Sequence, residues 1–257
     1  MMNRFFLMTR GRTGSTAIID EINNVKAVFA AQELFIKRDF KNLMKQNLMA
    51  HYQSIIPFEL WKMQGSLWQK VRRRFLGDRE LVANYLLQIE SKTRRKGVAA
   101  FGFKALSHHF DETPFLKETL IDQGFRVIYL TRNIPRQVIS GMIAKQRGVY
   151  NRKNYQDDAR YQIDVDEFET LVKLEATAVH DDLSFIKNCG FDLIQVSYED
   201  FMGDRSFFFT RVLEFLEVAV ELPEKSDYSV MIKDLRHTVE NFNTVRERAS
   251  AMGMPIE

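Results

Sequence analysis

Residues 5–16, FFLMTRGRTGST, decide the fold of this 257-residue chain. The apolar run at 5–8 predicts a buried strand, and the glycines behind it end the strand and let the backbone turn closely. Hydroxyl residues then begin a helix, so the amides of the turn and of the first helical turn point in one direction. Converging backbone donors of this kind form a cradle for an anion such as phosphate or sulfate.

The side chains of this segment also favour an anion. Arg12 carries a guanidinium whose fork of donors matches phosphate and sulfate oxygens. The rest of the cradle consists of Thr13, Gly14, Ser15 and Thr16. No lysine precedes the Ser-Thr pair, as it does in the loops that bind ATP or GTP. The segment therefore predicts a phosphate-like ligand other than a nucleoside triphosphate, with ordinary turn and helix-cap chemistry as the alternative.

A second segment far downstream has the same strand-to-helix character. The β-branched run at 125–131 predicts a strand, and Pro135 fits the first turn of the helix that follows. Arg132 lies at the end of the strand and Ser140 lies two turns into the helix. A guanidinium and a hydroxyl in these places can bind one further phosphate from two sides. The alternative is a surface arginine and an incidental helix serine.

The order of elements along the chain predicts an α/β fold. Strands are expected at about 4–9, 27–29, 99–104, 125–131 and 192–198, with helices between them. This alternation predicts a parallel sheet flanked by helices, with ligands at the carboxyl ends of the strands. Both anion-binding segments fall at such ends, so we expect one P-loop-like nucleotide-binding core. Residues 1–257 are interpreted as a single domain, in which 36–96 form a helical insertion or cap.

Composition agrees with an ordinary enzyme. The chain is 45% hydrophobic, which is enough for a substantial core, and it has no apolar run long enough to span a membrane. The apolar stretch near the N-terminus is too short for a signal peptide. The only cysteine, Cys189, fits a reducing compartment and excludes a cysteine-based metal site. We therefore expect a cytoplasmic protein with no metal.

The charge is unevenly distributed, although the formal net charge is only +3. Basic clusters at 70–74 and 92–96 could attract an anionic acceptor or the anionic surface of a membrane, which would make the protein peripheral. The alternative is a solvated helix face whose aliphatic stems cover apolar neighbours. Nucleic acid is not expected as a partner, because no recognised binding module accompanies the charge.

Together the two anion-binding segments resemble the sulfotransferase family, which transfers sulfuryl groups from 3′-phosphoadenosine 5′-phosphosulfate (PAPS). In that family Arg-x-Gly-Ser-Thr holds the 5′-phosphosulfate, and residues 12–16 match this motif throughout. An arginine at a strand end and a serine eight residues later hold the 3′-phosphate, as Arg132 and Ser140 would here. Asn133 and Gln137 resemble the carbohydrate-directed bacterial branch, which includes trehalose sulfotransferase, more than the cytosolic branch with its Arg-Asp-Pro. The resemblance implies PAPS as donor co-substrate and no metal.

The resemblance also implies a catalytic base. In the trehalose-type branch a glutamate after the second strand takes the proton of the acceptor hydroxyl, and Glu33 lies at this place. The cytosolic branch uses a histidine, which makes His108 or His109 the rival, although a histidine pair in a loop is often a surface feature. Lys104, at the end of its predicted strand, would neutralise charge on the leaving phosphate. A solvent-exposed lysine is the alternative for that position.

The expected activity is O-sulfotransfer by in-line displacement at sulfur. Branch resemblance implies an acceptor hydroxyl on a carbohydrate or glycolipid, while lipid headgroups, small alcohols and peptide tyrosines stay open. One alternative is a nucleotide-dependent kinase of related fold, which should show a loop lysine and a magnesium-binding carboxylate. The other is a non-catalytic nucleotide-binding scaffold, which would bind the donor without turnover on any acceptor.

Overall fold

The protein is described from a computed structural model. The residues described are 2–37, 55–64, 76–94, 97–148, 159–228, 232 and 234–256. Within these described ranges there are five strands, β1 (Asn3–Thr9), β2 (Val28–Ala31), β3 (Ala100–Leu106), β4 (Arg126–Thr131) and β5 (Leu193–Ser197). They form one sheet in the order β2-β3-β1-β4-β5, and every pairing is parallel. The predicted α/β fold with a parallel sheet is confirmed.

The connections between the strands are helical. The helices are α1 (Ser15–Asn23), α2 (Phe58–Met63), α3 (Asp78–Arg94), α4 (His108–Glu112), α5 (Leu116–Asp122), α6 (Ile134–Arg147), α7 (Val165–Asn188), α8 (Tyr198–Gly203), α9 (Arg205–Phe215), α10 (Leu235–Thr238) and α11 (Phe242–Ala251). Strand order reverses at β1, because β3 pairs with one of its edges and β4 with the other. Ligands of open α/β sheets bind at the carboxyl ends of strands at such a reversal.

Both faces of the sheet are buried, so its strands read as continuous apolar runs. Alternate side chains of β1 enter opposite cores, with Phe6 and Met8 on one face and Phe5 and Leu7 on the other. The core around Phe6 is closed by α3, α5 and the end of α7, whereas α1 and α9 close the core around Phe5. The strand is thereby fixed on both sides directly before the glycine loop.

A third apolar cluster joins α6 to α7. It contains Ile139 and Ile143 of α6 and Phe168 and Val172 of α7, and side chains of α10 and α11 pack against them. The cluster holds α6 and α7 beside each other next to the carboxyl edge of the sheet. These two helices therefore form a fixed wall beside the glycine loop.

The segment interpreted as an insertion, 36–96, is described at its helices α2 and α3. Val82, Tyr85 and Leu86 of α3 are buried in the core of the sheet. The basic cluster at 70–74 lies outside the described residues, as do positions 95 and 96 of the second cluster. Lys92 and Arg94 are exposed at the end of α3. Among the described helices, none is both long and apolar enough to cross a membrane.

Candidate active site

The glycine loop between β1 and α1 has an unusual backbone. Arg12 and Gly14 both lie in the left-handed region, with φ of 67° and 77°. For a residue other than glycine this conformation costs about 1–3 kcal/mol, and such strain concentrates at functional sites. A Cβ at position 14 would also overlap the ring of Tyr198. Gly14 is therefore required both by its backbone angle and by the ring packed on it.

The start of α1 is available to an anion. In the described part of the chain no side chain caps this helix, whose N-cap residue is Gly14. The first amides of a helix point outward and carry the positive end of its dipole, so they attract negative charge. Ser15 and Thr16 begin this helix, as the sequence predicted for the cradle.

The two segments that are predicted to bind anions meet at Arg12. The Nη1 of Arg132 donates a hydrogen bond to the Arg12 carbonyl at 2.8 Å. The Nε and Nη2 of Arg12 lie 3.4 and 3.3 Å from the Oγ of Ser140. Positions more than a hundred residues apart in sequence are thus brought into one site at the carboxyl edge of the sheet.

Tyr198 is a site residue that sequence reasoning did not place there. A capping box of Ser197 and Asp200 starts α8 directly after β5, which makes Tyr198 the first helical residue. The Arg132 guanidinium lies 4.6 Å from the centroid of the Tyr198 ring. Burial lowers the pKa of Arg132 and raises the pKa of Tyr198. An aromatic residue directly after a strand end was the available signal.

Arg132 also retains a donor for a ligand. Its Nε is buried and has no hydrogen-bond partner among the described residues. A buried donor without a partner is costly unless a ligand or water satisfies it, so it fits the approach of an anion. Arg132, the Arg12 guanidinium and the start of α1 together suit a ligand with two separate anionic groups.

Glu33 and Lys104 form an ion pair beside this loop. The Lys104 Nζ lies 2.8 Å from Glu33 Oε1 and donates to the Thr16 hydroxyl at 3.3 Å. Lys104 is buried at the end of β3, and Glu33 lies in the turn after β2. The solvent-exposed alternative for Lys104 is therefore wrong. One cation thus contacts both the proposed base and the glycine loop.

The two histidines lie in the short helix α4 and not in a loop, because β3 passes directly into a helical turn at Ser107. His109 is fully buried, and its Nδ1 accepts a hydrogen bond from the Leu106 amide at 3.2 Å. The neutral ring then carries its proton on Nε2, which is 3.8 Å from Glu33 Oε2. His108 is exposed and faces a different space.

That space is a cleft of about 910 Å³ that opens beside the glycine loop. Arg10, Gly11 and Arg12 lie along one side, and His108 lies at the start of α4. Side chains of α6 and α7 form the remaining wall, while Glu33 is not among the lining residues. The cleft therefore places a candidate acceptor space next to the loop and next to His108.

A polar network at the bottom of this cleft holds the loop. Gln137 Nε2 donates to the Gly11 carbonyl at 2.8 Å and to Glu175 Oε1 at 2.7 Å. The same Glu175 oxygen accepts from Arg10 Nε at 2.8 Å, and Asp182 lies 3.6 Å from Arg10. Sequence reasoning missed Glu175 and Asp182, because acidic residues within a long amphipathic helix carry no local sign of a site.

No group of three or more His, Cys, Asp or Glu side chains within the described ranges is arranged to hold a metal ion.

Comparison with known proteins places these features in a family. The sequence model of the Sulfotransferase family matches residues 5–222. No curated protein matches the sequence. The sulfotransferase domain from the curacin biosynthetic pathway aligns with a TM-score of 0.53 at 12% identity, over 100% of this chain and 99% of that domain, which shows a shared fold.

Two further sulfotransferase structures align less closely. A sulfotransferase from Alicyclobacillus acidocaldarius has a TM-score of 0.47 and 12% identity, over 100% of this chain and 98% of its own. Mouse sulfotransferase SULT7A1, complexed with PAP, has a TM-score of 0.43 and 9% identity, over 85% of this chain and 59% of its own. With the family match over most of its length, the chain belongs to the sulfotransferase family.

Proposed function

We propose that this sulfotransferase takes its sulfuryl group from PAPS and transfers it to an acceptor hydroxyl. The meeting of two anion-binding elements at Arg12 carries the proposal. Arg132 holds the Arg12 carbonyl, and the Arg12 guanidinium reaches Ser140. A nucleotide with anionic groups on both its 5′ and 3′ oxygens would use both elements, whereas ATP offers no 3′-phosphate.

In this proposal residues 12–16 and the start of α1 hold the 5′-phosphosulfate. Arg132 and Ser140 hold the 3′-phosphate. The buried Nε of Arg132 supports this assignment, because no described residue accepts a hydrogen bond from it. Tyr198 fixes the Arg132 guanidinium by stacking against it. The resident residues supply positive charge for a phosphate ligand without a metal.

The proposed reaction is an in-line displacement at sulfur. The acceptor oxygen forms a bond to sulfur while the bond from sulfur to the bridging phosphate oxygen breaks, and the acceptor proton passes to a base. Negative charge then develops on the phosphate group. Arg12, Lys104 and the loop amides lie where they would stabilise it, and one well-placed donor is worth about 3–4 kcal/mol in other enzymes.

Glu33 is the proposed base. Its carboxylate is 2.8 Å from Lys104, which also donates to Thr16 in the loop, so the base and the phosphosulfate site are linked through one side chain. His108 is the rival, because it lines the cleft beside the loop. His109 is enclosed, and we assign it to orienting Glu33 at 3.8 Å.

The proposed acceptor is a hydroxyl on a carbohydrate or glycolipid. Support comes from Asn133 and Gln137, which resemble the carbohydrate-directed branch in sequence. Gln137 binds the loop carbonyl of Gly11. A cytoplasmic location is proposed because Cys189 is a free cysteine, which suits a reducing compartment.

Binding of the donor product tests the first half of the proposal. Thermal unfolding is followed with the donor product 3′-phosphoadenosine 5′-phosphate (PAP), and with ADP, ATP–magnesium and 5′-AMP. At about a hundred times its Kd, PAP should add roughly 2.7 kcal/mol, or on the order of 5–10 °C for a chain of this size. A shift with ATP–magnesium and none with PAP would instead support the kinase alternative.

Turnover tests the second half and separates the two bases. Transfer of labelled sulfate from PAPS is measured for wild type, Glu33→Gln and His108→Gln. Loss of a general base should cost Glu33→Gln about 10²–10⁴-fold in kcat while PAP affinity stays unchanged. If His108→Gln loses turnover and Glu33→Gln retains it, His108 is the base. PAP binding without turnover on any acceptor would support the scaffold alternative.

A further inference from the structure

The cleft beside the glycine loop has a polar end and an apolar body. Its polar end is formed by Arg10, Gly11 and Arg12, next to the proposed position of the transferred group. Its volume of about 910 Å³ is near the upper end for small-molecule sites. An acceptor that presents a hydroxyl to the loop would therefore extend a considerable length of its body between α6 and α7.

The walls around that body are mainly hydrocarbon. The apolar lining residues include Leu106, Phe110, Val138, Met142, Leu171, Leu174 and Phe185. Phe110 and Phe185 pack on each other with centroids 5.2 Å apart, while Leu174 is 62% exposed at the mouth. An exposed leucine continuous with an apolar wall favours a ligand that covers it, since covering apolar surface removes it from water.

Four polar side chains of the lining, those of Arg10, Gln137, Glu175 and Asp182, are already engaged in hydrogen bonds or ion pairs within the protein. Glu175 accepts from both Arg10 and Gln137, and Asp182 accepts from the hydroxyls of Ser107 at 2.6 Å and Tyr129 at 3.2 Å. A free sugar that filled the cleft would bury many hydroxyls against carbon, and each unpaired one would be costly. An apolar body carries no such cost.

The charges of the lining disfavour an anionic acceptor. Among the described residues, five carboxylates line the cleft, Asp111, Glu167, Glu175, Asp181 and Asp182, against the three cations Arg10, Arg12 and Lys145. Arg12 is assigned to the donor, which leaves a negative surplus on the walls. Like charges brought together in a partly enclosed site repel.

Resting on the proposed function, we propose that the acceptor is a neutral amphiphile, with its hydroxyl-bearing head at the glycine loop and an apolar chain between α6 and α7. This chooses an amphiphilic glycolipid-like acceptor over a free carbohydrate. It also makes an anionic polysaccharide a poor substrate. In this cleft the base for the acceptor hydroxyl is His108, the rival to Glu33, because His108 lines the cleft and Glu33 does not.

The experiment is a chain-length series. Initial rates with PAPS are measured for glucose and for methyl, butyl, hexyl and octyl β-glucosides, each below its micelle concentration. The kcat/KM should rise about twofold to fourfold for each added methylene until the chain reaches the mouth. Equal values for glucose and octyl glucoside would overturn the proposal. Octyl β-glucuronide should react at least tenfold more slowly than octyl glucoside, and equal rates would overturn the neutral assignment.

A substitution in α7 tests whether the alkyl chain of the acceptor lies against this helix. Leu174→Ser should flatten the chain-length dependence, and Leu174→Met should restore it. Leu222→Ser is the matched control, because Leu222 is also exposed, at 57%, and does not line the cleft. If Leu174→Ser and Leu222→Ser leave the same chain-length dependence as wild type, the chain does not lie against α7 and the assignment is wrong.

Calorimetry with the PAP-saturated protein gives a readout that needs no turnover. Octyl glucoside should bind at least tenfold more tightly than methyl glucoside. Equal affinities with intact PAP binding would refute the amphiphile while leaving the sulfotransfer proposal standing. Failure of PAP to bind would instead refute the donor proposal, on which this inference rests.

Discussion

Gly14 shows how much a single residue decides in this site. Its φ of 77° is costly for a residue with a side chain, and the Tyr198 ring fills the space where a Cβ would lie. Tyr198 in turn supports Arg132, whose Nη1 holds the Arg12 carbonyl. Changing Gly14 would therefore disturb both proposed anion-binding elements.

Gly14→Ala should weaken PAP binding at least tenfold and lower the Tm. The left-handed backbone costs an alanine about 1–2 kcal/mol, and displacement of Tyr198 adds to this cost. PAP titration and thermal unfolding measure the two effects.

Gly148→Ala is the control for backbone strain alone. Gly148 has a φ of 69°, and nothing lies within 4 Å of the place where its Cβ would be. This variant should lose stability because its backbone is strained at position 148, and it should keep its PAP affinity. Identical losses of PAP affinity in both variants would contradict the role assigned to the Gly14–Tyr198 contact.

At the scale of elements, α6 and α7 orient the loop through Gln137 and Glu175. A peptide unit is planar, with its carbonyl and amide on opposite sides. Holding the Gly11 carbonyl through Gln137 and the Arg12 carbonyl through Arg132 therefore turns the following amides the other way. Glu175 fixes the amide of Gln137 and the side chain of Arg10 at once.

Gln137→Leu should raise the Kd of PAP roughly tenfold, as expected from the loss of a buried hydrogen bond that orients the loop. Glu175→Ala should have a similar effect, and the double variant should be less than additive because both residues act through one network. Isothermal titration with PAP measures each affinity.

Glu169→Gln is the control on the same helix, since Glu169 forms ion pairs with Lys173 and Arg248 away from the cleft. It should leave PAP affinity unchanged. Full additivity of the Gln137 and Glu175 variants would show that the two residues act independently of each other.

Across the whole molecule, the proposed ligand site and a stabilising ion-pair group lie at opposite edges of the sheet. The proposed site is at the carboxyl edge. At the opposite edge the buried Glu90 of α3 accepts from Arg4 Nε of β1 at 2.9 Å and pairs with Arg94 at 2.5 Å. Arg4 also donates to the Gln123 carbonyl before β4 at 2.6 Å. This group ties α3 to the central strand β1 and to the turn before β4.

Glu90→Ala should destabilise the fold by about 3–5 kcal/mol, because it leaves the partly buried guanidinium of Arg4 without its carboxylate partner. Chemical denaturation should show this loss, while the PAP affinity of the folded fraction stays at the wild-type value. Glu118→Ala, which removes a partly exposed carboxylate of α5, should change stability little. A change in PAP affinity in Glu90→Ala with little loss of stability would contradict the division between the two edges.

Local sequence patterns were sufficient to predict the strands and the parallel sheet that they form. Each predicted strand lies within two residues of an observed one, since a parallel sheet buried on both faces needs the continuous apolar runs that the chain shows. The chain reversal after β1 was also predicted from its glycines, and Gly14 does adopt a positive φ. That Arg12, and not Gly11, adopts the other positive φ of this loop was not predicted. The helix that contains the histidine pair was not predicted, since a five-residue helix leaves little periodicity to detect.

The sequence by itself determined the α/β fold, the glycine loop between β1 and α1, and the family of the chain, because these depend on residues close together along the chain. Only the tertiary structure decided that Arg12 contacts Ser140, that Tyr198 packs on Gly14, and that Glu175 reaches Arg10 across 165 positions. Such contacts depend on how helices dock on the sheet and on side-chain direction. Neither is encoded in the spacing of neighbouring residues.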